Sequence, residues 1–442
     1  MNSNGCSRSL RGWVTLGLAV CVVQIGYTVE PQTIDLPTAL RLAGANNLDV
    51  EIARARLDEA RAAHGSARAR YFPWISPAIT VRRHEGNIQN VEGRILDVDK
   101  QSLAAAVTLN AQLDLGETYY QNLVARQVVK ANEAALAGRQ REANFRAAAA
   151  YFELTRTQAT VLASEEAMRI TSRHAEQISV TTELGITFVG DAARVRAARE
   201  RAELTLARSR ADQRIAAARL AEVLRLDPAI ELTPVDADLA PLTLEGHLEN
   251  LGVLISRALA ARPELDEAGA RLLSAQTGRR ASKNAPLIPT IGAQATLGGL
   301  GGGPSGSSLS RDYGSSGDYA LGVSWRVGPG GLFDNNRQRE TAAREKQAEL
   351  EMEKLRDAVR LQVVETHARL MSLAVQIELA RKTLEAADQT ARLSRQRRET
   401  GVSGALEDLQ AEDELLRARR DYLAIIADYN LAQYALRYVT GQ

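Results

Sequence analysis

Few residues in this 442-residue chain are suited to chemistry, and their spacing gives none of them a partner. The histidines, His64, His84, His174, His247 and His367, lack the short intervals that bring two imidazoles to one metal ion. Both cysteines, Cys6 and Cys21, lie near the start, so the rest of the chain has neither a thiolate metal site nor a disulfide. No GxSxG nucleophile turn occurs. The glycine-rich run from Gly298 to Gly303 is not followed by the lysine and helix of a phosphate loop. The expectation is a protein that is not an enzyme and needs no cofactor. A net charge of +1 provides no field for a polyanion, so nucleic acid is not expected as a partner.

The elements that would carry any site are long helices. Leu370, Leu373, Ile377, Ala380, Leu384, Ala387 and Ala391 alternate by three and four, which keeps one apolar seam facing a partner helix. GVSGALEDL, residues 401–409, interrupts the pattern with a turn. The seam resumes at Leu415, Ala418, Tyr422, Ile425, Tyr429, Ala432, Leu436 and Val439. Helices of this length exceed what a compact globule uses. Aromatics are only 4% of the chain, and alanine takes their place, as in closely packed bundles.

The same design recurs 216 residues earlier, with Leu154, Met168 and Gly185 at the places of Leu370, Leu384 and Gly401. PWI at 73–75 answers PTI at 289–291. A unit this long is a duplicated domain rather than a solenoid repeat. The boundaries read as a signal segment at 1–29, a first repeat at 30–226, an irregular linker at 227–262 and a second repeat at 263–442.

Arg8 and Arg11 precede an uncharged run over residues 13–26, the pattern of a secretory signal. LAVC at 18–21 loosely resembles a lipobox, which makes Cys21 a candidate for lipidation. Residues 35–70 read as helical, up to the prolines of YFPWISP, which stop the pattern. A further helix is expected over 141–184, with its tip near 185. Strands are expected at about 77–83 and 103–113, then at about 287–297 and 318–327. The second strand alternates Leu103, Ala105, Val107, Leu109, Ala111 and Leu113 with a partly polar face, as a membrane barrel strand does. A half-buried strand of a soluble sheet would read the same way. The stretch 298–317 is expected to be a flexible loop. Trp74 and Trp325 sit at strand ends, where interfacial aromatics belong. Four strands are too few to close a membrane barrel, so a shared barrel and a homo-oligomer follow.

GITFVGDAA and GVSGALEDL, PWI and PTI, and LFDNNR at 332–337 with its weaker counterpart DLGETYY at 114–120 together resemble the TolC-type outer-membrane efflux family. The resemblance covers residues 35–442. It implies a mainly α protein with a membrane β-barrel: a homotrimer giving four strands per chain to a twelve-stranded barrel, and antiparallel coiled-coil helices to a periplasmic α-barrel. The implied partners are outer-membrane lipid, a periplasmic adaptor (membrane fusion) protein and an inner-membrane transporter, and the implied role is a passive export duct. The adaptor-contact tips are then Gly185, Gly401, Val402 and Leu406. The family's acidic aperture maps onto Glu407, with Asp191 at the equivalent place in the first half. Gln410 stands where a further acid is expected, Ser403 where a base is, and Asp408 is a substitute on a different helix face. Glu407 and Asp191 equally suit helix N-terminal charges that complement the dipole. A secreted coiled-coil protein without a pore is the alternative reading, and the barrel strands discriminate between the two.

Overall fold

The computed structural model describes residues 32–235, 239–244, 249–400 and 405–442. The signal-like segment with Cys21, and Gly401 and Val402, lie outside the described residues. β1 (Gln32–Ile34) leads into α1 (Leu36–Asn46) and α2 (Leu48–Ala69). Then come β2 (Trp74–His84), the short β3 (Asn87–Gln89) and β4 (Ile95–Asp97), and β5 (Lys100–Asp114). The hairpin α3 (Leu115–Glu183) and α4 (Val189–Leu224) closes the first half. After β6 (Leu232–Pro234) the order returns as α5 (Leu251–Ala261), α6 (Pro263–Asn284), β7 (Thr290–Pro304), β8 (Gly314–Ser324), α7 (Asn335–Glu399) and α8 (Ala405–Val439). First residues of matching elements, 36 and 251, 48 and 263, 74 and 290, 189 and 405, differ by 215 or 216.

Residues 35–70 are helical, in two helices that meet at Asn47. Asn47 adopts extended backbone (φ −69°, ψ 128°), and its Oδ1 accepts the Asp49 N–H at 2.8 Å. A side chain that caps a new helix ends the old one. The helix expected at 141–184 begins earlier, at Leu115, and runs 69 residues. At 1.5 Å per residue that is about 100 Å. Asp114 accepts the Glu117 N–H at 3.1 Å, so strand converts to helix without a loop. Asp334 caps α7 in the same way, accepting the Arg337 N–H at 3.0 Å, after the connection that follows β8. Glu117 and Arg337 then join the two helix starts in a two-oxygen ion pair at 2.9 and 3.0 Å.

Two cores repeat the two halves. In the first, Ala39, Ala43, Ala147, Ala148, Leu154, Leu220 and Leu224 pack α1, α3 and α4 together. In the second, Leu254, Ala258, Val363, Leu370, Leu373, Tyr429 and Leu436 do so for α5, α7 and α8. The apolar seam read from the sequence is the buried side of α7 and α8 along its length, ending at Ala391, Ala411 and Leu415. Alanine at these contacts lets backbones approach closely, and the few large side chains contribute about 1.5–3 kcal/mol each on burial. Between the halves, β1 pairs in parallel with β6. Buried Asn430 and Gln433 on α8 hold residues 240–244 by four amide-to-backbone hydrogen bonds of 2.8–2.9 Å. None of the described helices is long and apolar enough to cross a membrane.

Apart from the small β3–β4 pair, the main sheet is antiparallel, in the order β2-β5-β7-β8. The expected loop at 298–317 is a correction. β7 continues through the glycines to Pro304 and β8 begins at Gly314, leaving only residues 305–313 between them. A Cβ at Gly298 would lie 2.3 Å from the Ala105 carbonyl oxygen. Glycine there permits the approach of β5, so a run that reads as flexible is strand, held by ladders on both sides.

Candidate channel wall and tunnel tip

The register divides the sheet into two chemically different faces. Ile75, Ile79 and Val81 stand opposite Leu109, Ala105 and Leu103. Those continue across Ala295, Gly299 and Gly301, while Ile291, Ala293 and Ala295 face Val323, Leu321 and Tyr319. This face is apolar and open, with Ile79 and Leu321 each 79% exposed. The opposite face carries Ser76, Thr80, Thr108, Asn110, Gln112, Gln294, Thr296 and Asp318. Thr108 and Thr296 share a 3.1 Å hydroxyl hydrogen bond on it. An exposed apolar face over strands of 11–15 residues, backed by a polar one, is the wall of a membrane barrel. Among the described residues, β2 and β8 each keep one edge without a partner strand.

Both tryptophans lie at strand ends, Trp74 as the first residue of β2. Trp74 stands opposite Asn110, so strand parity puts it on the polar face. Trp325 lies one residue beyond β8, and its indole N–H donates to the Leu287 carbonyl at 3.4 Å. Tyr319, 74% exposed on the apolar face, is the aromatic that the alternation presents outward.

At the far end of the helices, Gly185 takes φ +71° and closes α3, with the Ile186 N–H donating to the Thr181 carbonyl at 2.9 Å. Leu184, Ile186, Phe188 and Val189 around it are all at least 68% exposed. Asp191, in the first turn of α4, pairs with Arg194 at 3.3 Å. On the second hairpin Gly401 and Val402 are outside the described residues, as is the side chain of Leu406. Glu407 is exposed and pairs with Arg397 at 2.7 Å, and Gln410 is exposed one turn later.

Asp408 is placed differently. It is 0% exposed, beneath the tip, with His174 Nδ1 and Arg398 Nε each 3.3 Å from its Oδ2. It therefore does not face an aperture in this conformation. One turn on, Glu412 (8% exposed) accepts a 2.7 Å hydrogen bond from Arg395 Nε. The cluster ties α3 of the first hairpin to α7 and α8 of the second. Burial, then the neighbouring Arg398 and Arg395, bring the His174 pKa down to about 4. Burial pushes the Asp408 carboxyl up against the opposing pull of the same two arginines. Burial also raises Glu412, against Arg395. Sequence inspection treats His174 as one of five scattered histidines, because its partners lie more than 200 positions away.

Comparison with known proteins follows the same lines. The family model for outer membrane efflux proteins matches residues 254–442. Protein CyaE of Bordetella pertussis is 27% identical over 297 residues, 66% of this chain and 60% of that protein. The chain thus spans less than two thirds of the length of that relative. The CmeC outer membrane channel of Campylobacter jejuni superposes with a TM-score of 0.77 at 14% identity, covering 92% of this chain and 85% of that one. The MtrE outer membrane channel of Neisseria gonorrhoeae, solved in an open state, gives 0.76 at 18% identity, covering 92% and 88%. Residues 254–442 thus match the outer membrane efflux protein model, and the described chain as a whole has the fold of the solved TolC-type outer-membrane channels.

Proposed function

We propose that three copies of this chain assemble in the outer membrane into a passive exit duct for cargo delivered from the inner membrane. The observation that carries this reading is the open sheet with one apolar and one polar face and an unpartnered strand at each edge. Four strands fall short of the roughly eight that close the smallest membrane barrels. Three copies supply twelve and leave no edge. The helices that leave the sheet extend the duct by about 100 Å, far beyond the bilayer, into the periplasm. A passive duct supplies no energy, so an inner-membrane transporter drives export through a periplasmic adaptor protein. The exposed apolar tip at Leu184, Ile186 and Phe188 supports a protein contact there. Gly185, and Gly401, Val402 and Leu406 of the second tip, are the proposed adaptor contacts. Glu407 and Asp191 are the proposed aperture acids.

The test is ion conductance of the purified protein in a planar bilayer, together with electrophoresis before and after heating. A detergent-solubilised, heat-modifiable trimer with discrete conductance steps is the expected result. A monomer that stays in solution without detergent and passes no current overturns the duct in favour of a coiled-coil protein without a pore.

A further inference from the structure

The polar face of the sheet is not uniform along its length. Near the end that carries the β2–β5 and β7–β8 connections, Arg82 stands opposite Ser102, and His84 opposite Lys100. Arg82 and Lys100 are therefore diagonal neighbours on adjacent strands of the same face, both exposed. At such a diagonal the Cβ atoms are about 7–8 Å apart. Neither is engaged in an ion pair among the described residues. Arg83, between them in sequence but on the apolar face, differs: Glu85 lies at 2.5 Å and Asp99 at 3.9 Å. The acids nearest in the connection are thus taken up by the arginine of the other face.

The acids on the polar face, Asp318 and, at the far end of β5, Asp114, lie far from this pair. Asp318 stands opposite Thr296, which is level with Thr108 and Ser76. Ser76 is six positions from Arg82, roughly 20 Å at 3.3 Å per residue. That exceeds the Debye length of about 10 Å at 0.1 M salt, so Asp318 does not neutralise the two bases.

We propose that Arg82 and Lys100, repeated in each copy, form a basic ring inside the outer mouth of the barrel, and that the ring favours anionic cargo at the exit. The inference rests on the trimeric duct reading, which puts the polar face of the sheet toward the lumen. Rings of Arg and Lys side chains select anions in pores because fixed charges in a confined, partly desolvated passage are weakly screened.

The test measures reversal potentials in planar bilayers under a tenfold KCl gradient, comparing the native protein with an Arg82→Gln, Lys100→Gln double variant. The expected result is a rise of about twofold or more in potassium over chloride permeability in the double variant. Arg82→Lys with Lys100→Arg should keep the native ratio, since charge rather than shape is at issue. A second measurement needs no variant: dextran sulfate added on the outer side should block the native current, and uncharged dextran of equal size should not. An unchanged permeability ratio in the double variant, or equal block by the two dextrans, overturns the ring while leaving the duct intact. Absence of any conductance overturns the duct, and the ring with it.

Discussion

His174 is the residue at which burial and charge meet most sharply. It is 6% exposed, and its pKa is about 4. An unfolded histidine takes up its proton near 6.5. Between those values the unfolded chain holds more protons, so the tip packing loses stability as pH falls through the window. The full effect is on the order of 3 kcal/mol, and His174→Gln should remove it, flattening the slope of denaturation midpoint against pH between about 6.5 and 4. Equal slopes in both proteins would refute the assignment. Asp408 acts oppositely: its raised pKa means that the folded state takes up a proton first, adding stability as pH falls through that value. Asp408→Ala should cost about 3–5 kcal/mol, since it leaves the largely buried Arg398 without its carboxylate. Glu407 behaves as a surface group. Its pair with Arg397 is half-exposed and contributes no more than about 1 kcal/mol. Glu407→Ala should leave thermal stability nearly unchanged while raising conductance or lowering cation selectivity. A change in stability alone would assign the residue to its helix end.

Elements are tested by their alternation. Ile79 and Thr80 are adjacent in β2 and point to opposite faces. Ile79→Arg places a charge against lipid and should cost roughly 2–4 kcal/mol near the bilayer midplane, reducing trimer yield. Thr80→Arg on the polar face should assemble normally. Equal yields would mean that the sheet does not face lipid. In the helices, Leu370 is 1% exposed in the second core, and Leu370→Ala should cost about 2–5 kcal/mol, read from urea denaturation. At the α3–α4 turn, Gly185 holds φ +71°. Gly185→Val should strain the turn by about 1–3 kcal/mol and weaken adaptor binding, with barrel insertion unaffected. Lost insertion with adaptor binding retained would place the contact elsewhere.

For the whole molecule, the joint between sheet and helices matters most. Asp114 starts α3 directly from the sheet end, Asp334 caps the start of α7, and the Glu117–Arg337 pair fastens one start to the other. The two halves therefore meet the membrane as one body. The buried amides of Asn430 and Gln433 perform a similar service at mid-height, binding the inter-repeat stretch to α8 as an edge strand would. Asn430→Leu should leave the Leu242 N–H and Ala240 carbonyl without partners. It should lower stability by about 1–3 kcal/mol, read as an earlier urea transition.

By itself the sequence determined what is periodic or local. The three-four seam of α7 and α8 lies buried where the spacing put it, because helix geometry projects regular spacing onto one face. The offset of 216 between repeats was legible because duplicated turns and proline steps keep their order, and the strand pattern of Leu103 to Leu113 because side chains alternate in any strand. The tertiary structure alone decided what depends on a neighbour. The glycines at 298–303 are strand because β5 and β8 hold them, which no local propensity expresses. Trp74 faces the polar side because pairing with Asn110 sets its parity, one step of register being enough to reverse it. His174 and Asp408 became a buried pair only when the two hairpins packed. Their meeting is a long-range contact, and no spacing along a chain records which distant faces will exclude water together.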